Sequence, residues 1–236
     1  MADFIPLSVP NFAGREKEYV NDAVVSEWVS TGGSKVAGFE EALAEYVGMP
    51  RAVACNSGTS GLHLACLAAG VGRGDEVLAP TLTFIAAVNP IRYAGAEPVF
   101  IGCDDSLCMD PAEAEAFCAA RCHMEGDRLI DSATGAHVKA LLVVHVFGNM
   151  ADLPALMRVA QKYHLALIED ATEALGTYYT CGPYAGRMAG TIGDVGVYSF
   201  NGNKIITTGA GGMLVSNHPN WAEHAKHLST QAKADE

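Results

Sequence analysis

Residues 138–170 read VKALLVVHVFGNMADLPALMRVAQKYHLALIED, and this stretch decides the fold. Residues 140–147 and 165–168 are apolar almost throughout, which is typical of strands covered on both faces. Between them, Leu153, Leu156, Met157 and Ala160 recur at the spacing of one helix face. A strand, a helix and a second buried strand in this order predict an α/β fold with a parallel sheet.

The same alternation continues on both sides of this stretch. Further strand-like runs lie at 51–57, 75–81, 96–102, 194–200 and 211–217, and helical stretches lie at 40–48, 59–71, 84–95 and 111–122. We therefore predict a mostly parallel central sheet flanked by helices, in which the last two strands could be antiparallel neighbours. Residues 120–137 break the rhythm and predict an exposed connection, and residues 221–236 predict a helix that frays into a polar tail.

Composition excludes several classes of protein. Of the 236 residues, 50% are hydrophobic and 18% charged, which indicates a sizeable core rather than a disordered chain. The net charge of −12 argues against nucleic-acid binding, because phosphate contact needs a basic face. The first residues do not resemble a signal peptide, and no apolar run approaches the roughly 20 residues of a membrane span. We predict a cytoplasmic protein without a membrane segment.

The cysteines indicate reduced thiols rather than a disulfide framework or a metal site. There are seven, an odd number, in a chain without an export signal. Cys118, Cys122 and His123 lie close together, but no second ligand pair with zinc-site spacing follows. We therefore predict no metal.

The motif NSGTSGLHLACLAAG (56–70) follows a strand and opens a helix. The N–H groups and the positive dipole at such a helix start can bind an anion, most naturally a phosphate. Thr59 and Ser60 add hydroxyl donors. The alternative is a helix cap without a ligand, because Ser and Thr are common caps.

Two further positions carry groups suited to chemistry. Asp170 ends the buried strand 165–170, where open α/β sheets bind ligands, and a carboxylate there can hold a proton on a ring nitrogen. The alternative is that Asp170 caps a following helix. Lys204 stands in YSFNGNKIITTGAGG (198–212), where a glycine-rich turn lets backbone approach a flat cofactor. The alternative is an ordinary solvated lysine.

A phosphate site, a carboxylate for a ring nitrogen and a lysine for an aldehyde are the three groups that pyridoxal 5′-phosphate requires. They occur here in one chain, each at the end of a predicted strand. Their joint occurrence favours that cofactor more than any single motif does.

The ordered motifs resemble a known family. NSGTSGLHLA, PTLTFIAAVNPIRYAGAEPVFI, VVHVFGNMADL, IEDATEALGTYY and GDVGVYSFNGNKIITTGAGGMLVSN are similar to the DegT/StrS group of fold-type I, pyridoxal-phosphate-dependent sugar aminotransferases, from about Ile5 to Lys233. Within the group, they are most similar to enzymes that aminate C4 of UDP-linked 4-keto-6-deoxy-N-acetylglucosamine. The resemblance implies transfer of an amino group, with L-glutamate as the expected donor, to a nucleotide-linked keto sugar by a homodimer.

The resemblance also implies a role for each site residue. Lys204 would form the internal aldimine, and Asp170 would pair with the pyridine nitrogen. Phe84 would lie against the ring of the cofactor, and Glu173 would lie near its 3-oxygen, where relatives commonly carry Gln or His. The phosphate would be held by Gly58, Thr59, Ser60 and Ser199. His145 is expected to be a structural residue at a strand end.

The resemblance implies a domain organisation as well. Residues 1–236 would form the pyridoxal-phosphate-binding large domain, with 1–50 as its N-terminal segment, and the chain would end before the small C-terminal domain of the family. Two alternatives remain open: a cofactor-binding remnant without turnover, and a pyridoxal-phosphate-dependent sugar dehydratase. Lys204 argues against the dehydratase, because a histidine stands at that position in such relatives.

Overall fold

A computed structural model describes residues 4–6, 8–28, 30 and 32–233. Within these residues, nine strands form one sheet. They are β1 (Ala52–Cys55), β2 (Asp75–Pro80), β3 (Glu97–Ile101), β4 (Cys122–Glu125), β5 (Arg128–Asp131), β6 (His137–Val144), β7 (Ala166–Asp170), β8 (Val195–Ser199) and β9 (Gly212–Ser216). The main path through the sheet runs β1-β9-β8-β7-β6-β2-β3.

Seven α-helices accompany the sheet in the described part of the chain. They are α1 (Glu16–Val25), α2 (Ser34–Val47), α3 (Gly58–Ala68), α4 (Ile85–Tyr93), α5 (Pro111–Arg121), α6 (Leu153–Tyr163) and α7 (Pro219–Ser229). Among the described residues, no helix is both long and apolar enough to cross a membrane.

The sheet is mostly parallel, which confirms the prediction. Strand β2 pairs in parallel with β3 and β6, and β7 pairs in parallel with β6 and β8. Only β9 on the main path is antiparallel, and it pairs with β8, as predicted, and also with β1. The carboxyl ends of β1, β2, β6, β7 and β8 therefore meet at one edge of the sheet.

Helices cover both faces of the sheet. On one face, α3, α4 and α7 pack over an apolar cluster that includes Leu62, Ile91 and Val197. On the other face, α5 and α6 pack over a cluster that includes Leu141 and Leu167. Since both faces of the central strands are buried, their sequences are apolar throughout rather than alternating.

Helix α6 shows how local sequence sets these boundaries. It begins after Asp152, whose Oδ1 accepts a hydrogen bond from the N–H of Ala155 at 3.0 Å, and Pro154 fits the first turn. It ends at His164, which has a left-handed φ of 57°. The residues that it buries recur at helical spacing: Leu153, Leu156, Val159, Ala160 and Tyr163.

The predicted connection at 120–137 is mostly exposed, as expected, but it is not irregular. This segment forms the hairpin β4–β5, and β5 adds to the sheet by pairing antiparallel with β6. Leu129, Ile130 and Asp131 are buried. Each strand is only four residues long, too short for a clear alternation pattern, and a polar turn at Gly126 joins them.

The N-terminal region differs in part from expectation. Helix α2 begins at Ser34, earlier than the apolar pattern indicated, so Ser34–Phe39 are helical rather than looped. Helix α1 buries none of its residues within this chain. Residues 1–3, 7, 29 and 31 of the predicted N-terminal segment, and 234–236 of the predicted polar tail, lie outside the described residues.

Candidate active site

A cavity of about 610 Å³ opens at the carboxyl edge of the parallel strands. Seven of the eight site residues predicted from the sequence line it: Gly58, Thr59, Phe84, Asp170, Glu173, Ser199 and Lys204. The eighth, Ser60, lies just behind the wall, where its Oγ and N–H bond to the Oγ of Ser57. The fold thus gathers residues from five separate segments of the chain into one space.

The start of α3 forms one wall of this cavity. Ser57 is the N-cap residue, and its Oγ accepts a hydrogen bond from the N–H of Ser60 at 3.1 Å. A Cβ placed on Gly58 would lie 3.0 Å from the Cβ of Ser199 and 2.9 Å from Cγ2 of Thr172, so only glycine fits here. The backbone at the helix start therefore lies close against the ends of β7 and β8, and its N–H groups and dipole favour an anion.

Asp170 provides a buried carboxylate in the same cavity. Only 4% of the residue is exposed, and its Oδ1 accepts a hydrogen bond from the N–H of Thr172 at 3.0 Å. Burial raises the pKa of the Asp170 carboxyl, which the bonds from Thr172 only partly offset. Residues 171–177 form turns rather than a helix, so the helix-cap alternative has no helix to cap.

Lys204 and Glu173 form an ion pair across the cavity. The Nζ atom of Lys204 lies 2.9 Å from Oε1 of Glu173, and 17% of the lysine side chain is exposed. The turn that carries Lys204 is fixed at its base by a hydrogen bond from the N–H of Thr208 to the carbonyl of Phe200 at 3.0 Å. Lys204 is therefore a half-enclosed, paired amine, which contradicts the alternative of a solvated lysine.

His145 directly follows β6, as expected of a strand-end residue, and it also lines the cavity, which the sequence did not indicate. Its imidazole is fully buried, Nε2 lies 2.9 Å from Oε2 of Glu169, and Nδ1 accepts a hydrogen bond from the N–H of Ala151 at 3.2 Å. Those contacts place the ring proton on Nε2. The tautomer is thereby set by residues that are far apart in sequence.

Glu169 is held by an unusually complete set of hydrogen bonds. Besides His145, its carboxylate accepts from the backbone N–H groups of Gly190, Ile192 and Gly193. Burial opposes ionisation, but these bonds outweigh it and lower the pKa of the Glu169 carboxyl. Glu169 thus fixes the loop before β8 and orients His145 beside Asp170.

Two phenylalanine rings stand exposed at the mouth of the cavity. Phe84, just before α4, is 78% exposed, and Phe147, after β6, is 82% exposed.

Within the described residues, no group of three or more His, Cys, Asp or Glu side chains could hold a metal ion. The seven cysteines, all of which are described, form no disulfide.

The cavity fits pyridoxal 5′-phosphate by the chemistry of its donors. Asp170 offers a buried acceptor that requires a cationic N–H, the α3 start offers N–H groups for a phosphate, and Lys204 offers an amine. The glycine at position 58 lets the start of α3 pack against Thr172 and Ser199, so its N–H groups lie at the cavity wall.

Comparison with known proteins agrees with this geometry. The chain is 38% identical to a GDP-perosamine synthase of Caulobacter vibrioides over 96% of this chain and 56% of the relative. Among solved structures, DesI in the presence of its TDP-sugar product is 32% identical with a TM-score of 0.77, covering 93% of this chain and 51% of that one. The PLP form of Spr1654 from Streptococcus pneumoniae is 26% identical with a TM-score of 0.80, covering 95% and 57%.

The chain spans about half the length of the curated relatives it matches. The family model for DegT/DnrJ/EryC1/StrS aminotransferases matches residues 10–236. Pyridoxal 5′-phosphate is the cofactor of that family, and the fold is that of the fold-type I enzymes. This chain belongs to the DegT/DnrJ/EryC1/StrS aminotransferase family.

Proposed function

We propose that residues 1–236 form the cofactor-binding large domain of a sugar-nucleotide aminotransferase, with 1–50 as its N-terminal segment. The reaction would move an amino group from L-glutamate to a nucleotide-linked 4-keto-6-deoxy sugar. The observation that supports this most directly is the convergence of the Lys204 amine, the buried Asp170 carboxylate and the start of α3 on one cavity.

Each wall of the cavity has a part in holding the cofactor. The N–H groups of Gly58 and Thr59, with the hydroxyls of Thr59 and Ser199, would bind the phosphate, and Ser60, just behind the wall, would support them through its bonds to Ser57. Phe84 would cover one face of the ring, and Asp170 would accept the hydrogen bond of the ring nitrogen and keep it protonated. When bound, pyridoxal 5′-phosphate supplies a carbonyl that takes up the amine and an electron sink for charge at the carbon being deprotonated.

Lys204 would supply the amine that attaches the cofactor and would then move protons as a general base. Its hydrogen bond to Glu173 directs Nζ across the cavity. Glu173 is itself held by the N–H of Phe147, which bonds to Oε2 at 3.2 Å. The lysine therefore has a defined resting position.

The relatives support a nucleotide sugar as the acceptor class. One is a GDP-perosamine synthase by name, and DesI was solved with a TDP-sugar product. The motif forms at 198–212 and 169–176 favour the UDP-linked 4-keto-6-deoxy-N-acetylglucosamine acceptor within that class. A lysine at position 204 disfavours sugar dehydration.

We also infer a cytoplasmic homodimer. Apolar side chains stand exposed around the cavity mouth, including Phe84, Ile85, Phe147 and Ile205, and exposed apolar patches favour association. Helix α1, which buries nothing within its own chain, is a further candidate for contact with a second copy. Seven cysteines without a disulfide fit a reducing compartment. Light scattering of the purified protein tests the assembly, and a monomer that binds the cofactor tightly would contradict it.

Product formation from glutamate and a keto sugar tests the reaction. Borohydride reduction of the cofactor-loaded protein, followed by peptide mass mapping, should place the pyridoxyl group on Lys204. Finding it on Lys35, Lys139 or Lys226 would contradict the assignment. The variant Lys204→Ala should bind the cofactor without becoming covalently labelled and should give no product.

A further inference from the structure

Phe147 adopts a conformation that its side chain disfavours. Its φ and ψ are 55° and 25°, the left-handed region that a bulky residue rarely occupies. The ring gains little in return from the core, because the residue is 82% exposed. Strain of this kind persists where the surrounding structure fixes it, and it is concentrated at functional sites.

The turn around Phe147 is fixed from both sides. The N–H of Phe147 donates to Oε2 of Glu173 at 3.2 Å. The next residue, Gly148, also has a positive φ of 81°, and its carbonyl accepts from Oγ1 of Thr177 at 3.1 Å. The N–H of Gly148 in turn donates to the carbonyl of His145 at 3.1 Å. Three hydrogen bonds, to Glu173, Thr177 and His145, thus hold the backbone in this unfavoured conformation.

Glu173 links this turn directly to the reacting amine. One of its carboxylate oxygens accepts from Phe147, and the other lies 2.9 Å from Nζ of Lys204. Phe147 and Lys204 line the same cavity and share the Glu173 carboxylate. In the proposed function, Phe84, the other exposed ring of the cavity, packs against the face of the cofactor and is not available to the sugar.

We propose that Phe147 determines acceptor specificity, its ring forming one wall of the subsite for the sugar and packing on the C–H face of the pyranose. The Glu173 carboxylate fixes this wall at a constant position relative to Lys204. This inference rests on the proposed function, since it assumes that a nucleotide-linked keto sugar enters the cavity. Aromatic rings that line ligand pockets supply apolar contact in this way, while a few polar groups set orientation.

The test separates the two half-reactions. The donor half-reaction is followed by the change in cofactor absorbance on adding L-glutamate. The acceptor half-reaction is followed by the reverse change on adding UDP-4-keto-6-deoxy-N-acetylglucosamine or its GDP-linked 4-keto-6-deoxy hexose counterpart. Phe147→Ala should raise KM for the better acceptor about three- to tenfold and leave the glutamate half-reaction within about twofold. Phe147→Tyr, which keeps the ring, should restore the acceptor KM.

Phe100→Ala is the matched control, because Phe100 is also an exposed phenylalanine but lies on β3 outside the cavity lining. It should leave both half-reactions unchanged. Equal effects of Phe147→Ala on both half-reactions, or no effect on either, would overturn the inference. A wild-type protein that transaminates no keto sugar would instead refute the proposed function.

Two readouts do not depend on turnover. Calorimetric titration of the protein loaded with pyridoxamine 5′-phosphate, which cannot condense with the amine of the aminated nucleotide sugar, should show weaker binding of that sugar by Phe147→Ala in the same ratio as KM. Phe147→Gly, which relieves the left-handed strain, should unfold at the same or a higher temperature than wild type while losing acceptor affinity. If Phe147→Ala becomes a monomer but binds the sugar as tightly as wild type, the ring lies at a subunit interface, and the sugar subsite is refuted.

Discussion

Asp170→Asn should remove nearly all activity and leave the fold intact. The two side chains have the same shape, and the Asn Oδ1 can still accept the hydrogen bond that Thr172 donates at 3.0 Å. What changes is the charge. Because only 4% of Asp170 is exposed, water cannot replace the lost acceptor.

Stability and activity should therefore respond in opposite directions. Burial raises the pKa of the Asp170 carboxyl, so the fold favours its protonated form. The stability associated with that form is present at low pH and is lost as pH rises through the raised pKa. Above that pKa the ionised carboxylate weakens the cofactor-free fold, and the neutral amide should leave it equally or more stable.

Catalysis instead requires that charge. A preorganised charged partner in a buried site is worth about 3–4 kcal/mol in the transition state. Its loss corresponds to a rate lower by about 10²- to 10³-fold, since each 1.36 kcal/mol is about tenfold. Cofactor affinity should fall much less, because the phosphate groups and Lys204 still hold it.

Stopped-flow measurement of the glutamate half-reaction, with thermal unfolding of the cofactor-free protein, tests both statements. Asp110→Asn is the matched control, because Asp110 accepts from the N–H two residues on, Ala112, at 2.7 Å but lies outside the cavity lining. It should keep full activity. Near-normal turnover by Asp170→Asn together with a lower unfolding temperature would reduce Asp170 to a turn-forming residue.

Three further changes give distinct outcomes. Gly58→Ala should push the start of α3 away from Ser199, 3.0 Å from the new Cβ, costing about 1–3 kcal/mol of stability and weakening cofactor binding measured by fluorescence titration. Burial, with Asp131 nearby, raises the pKa of the Glu76 carboxyl, so the stability that its protonated form contributes is lost as pH rises. Glu76→Gln should therefore raise the unfolding temperature at pH 8 more than at pH 5. Leu129→Ala should destabilise the protein by about 2–5 kcal/mol in urea unfolding, whereas an exposed connection would tolerate it.

The sequence predicted those parts of the fold that local pattern controls. The strands β6 and β7 are apolar throughout because both faces are covered, and α6 carries a helical apolar face between a capping Asp152 and a left-handed His164. Once parallel strands were inferred, residues at their carboxyl ends had to meet at one edge, so Asp170 and Ser199 were found together with Gly58.

The remainder depends on contacts between distant residues, which periodicity does not report. Glu173 and Lys204 are 31 residues apart, and His145 and Glu169 are 24 apart. No local rule indicates that these side chains meet, and His145 resembled an ordinary strand-end residue. The left-handed φ of Phe147 is equally hidden, since a sequence rule expects glycine or asparagine there.

The residues that line the cavity lie on two kinds of backbone. Asp170 and Ser199 end strands of the sheet, and Gly58 begins a helix packed tightly on it, so the rigid core sets the distances between the groups assigned to the cofactor. Phe147 lies instead on a turn that hydrogen bonds to side chains hold in place. A change at a strand end should therefore abolish the chemistry for every substrate, whereas a change on this turn should alter which sugar is accepted and spare the glutamate step.

Glu173 joins the two parts, because the same carboxylate contacts Lys204 and the Phe147 backbone. Glu173→Gln should accordingly affect both half-reactions, unlike any substitution at Phe147.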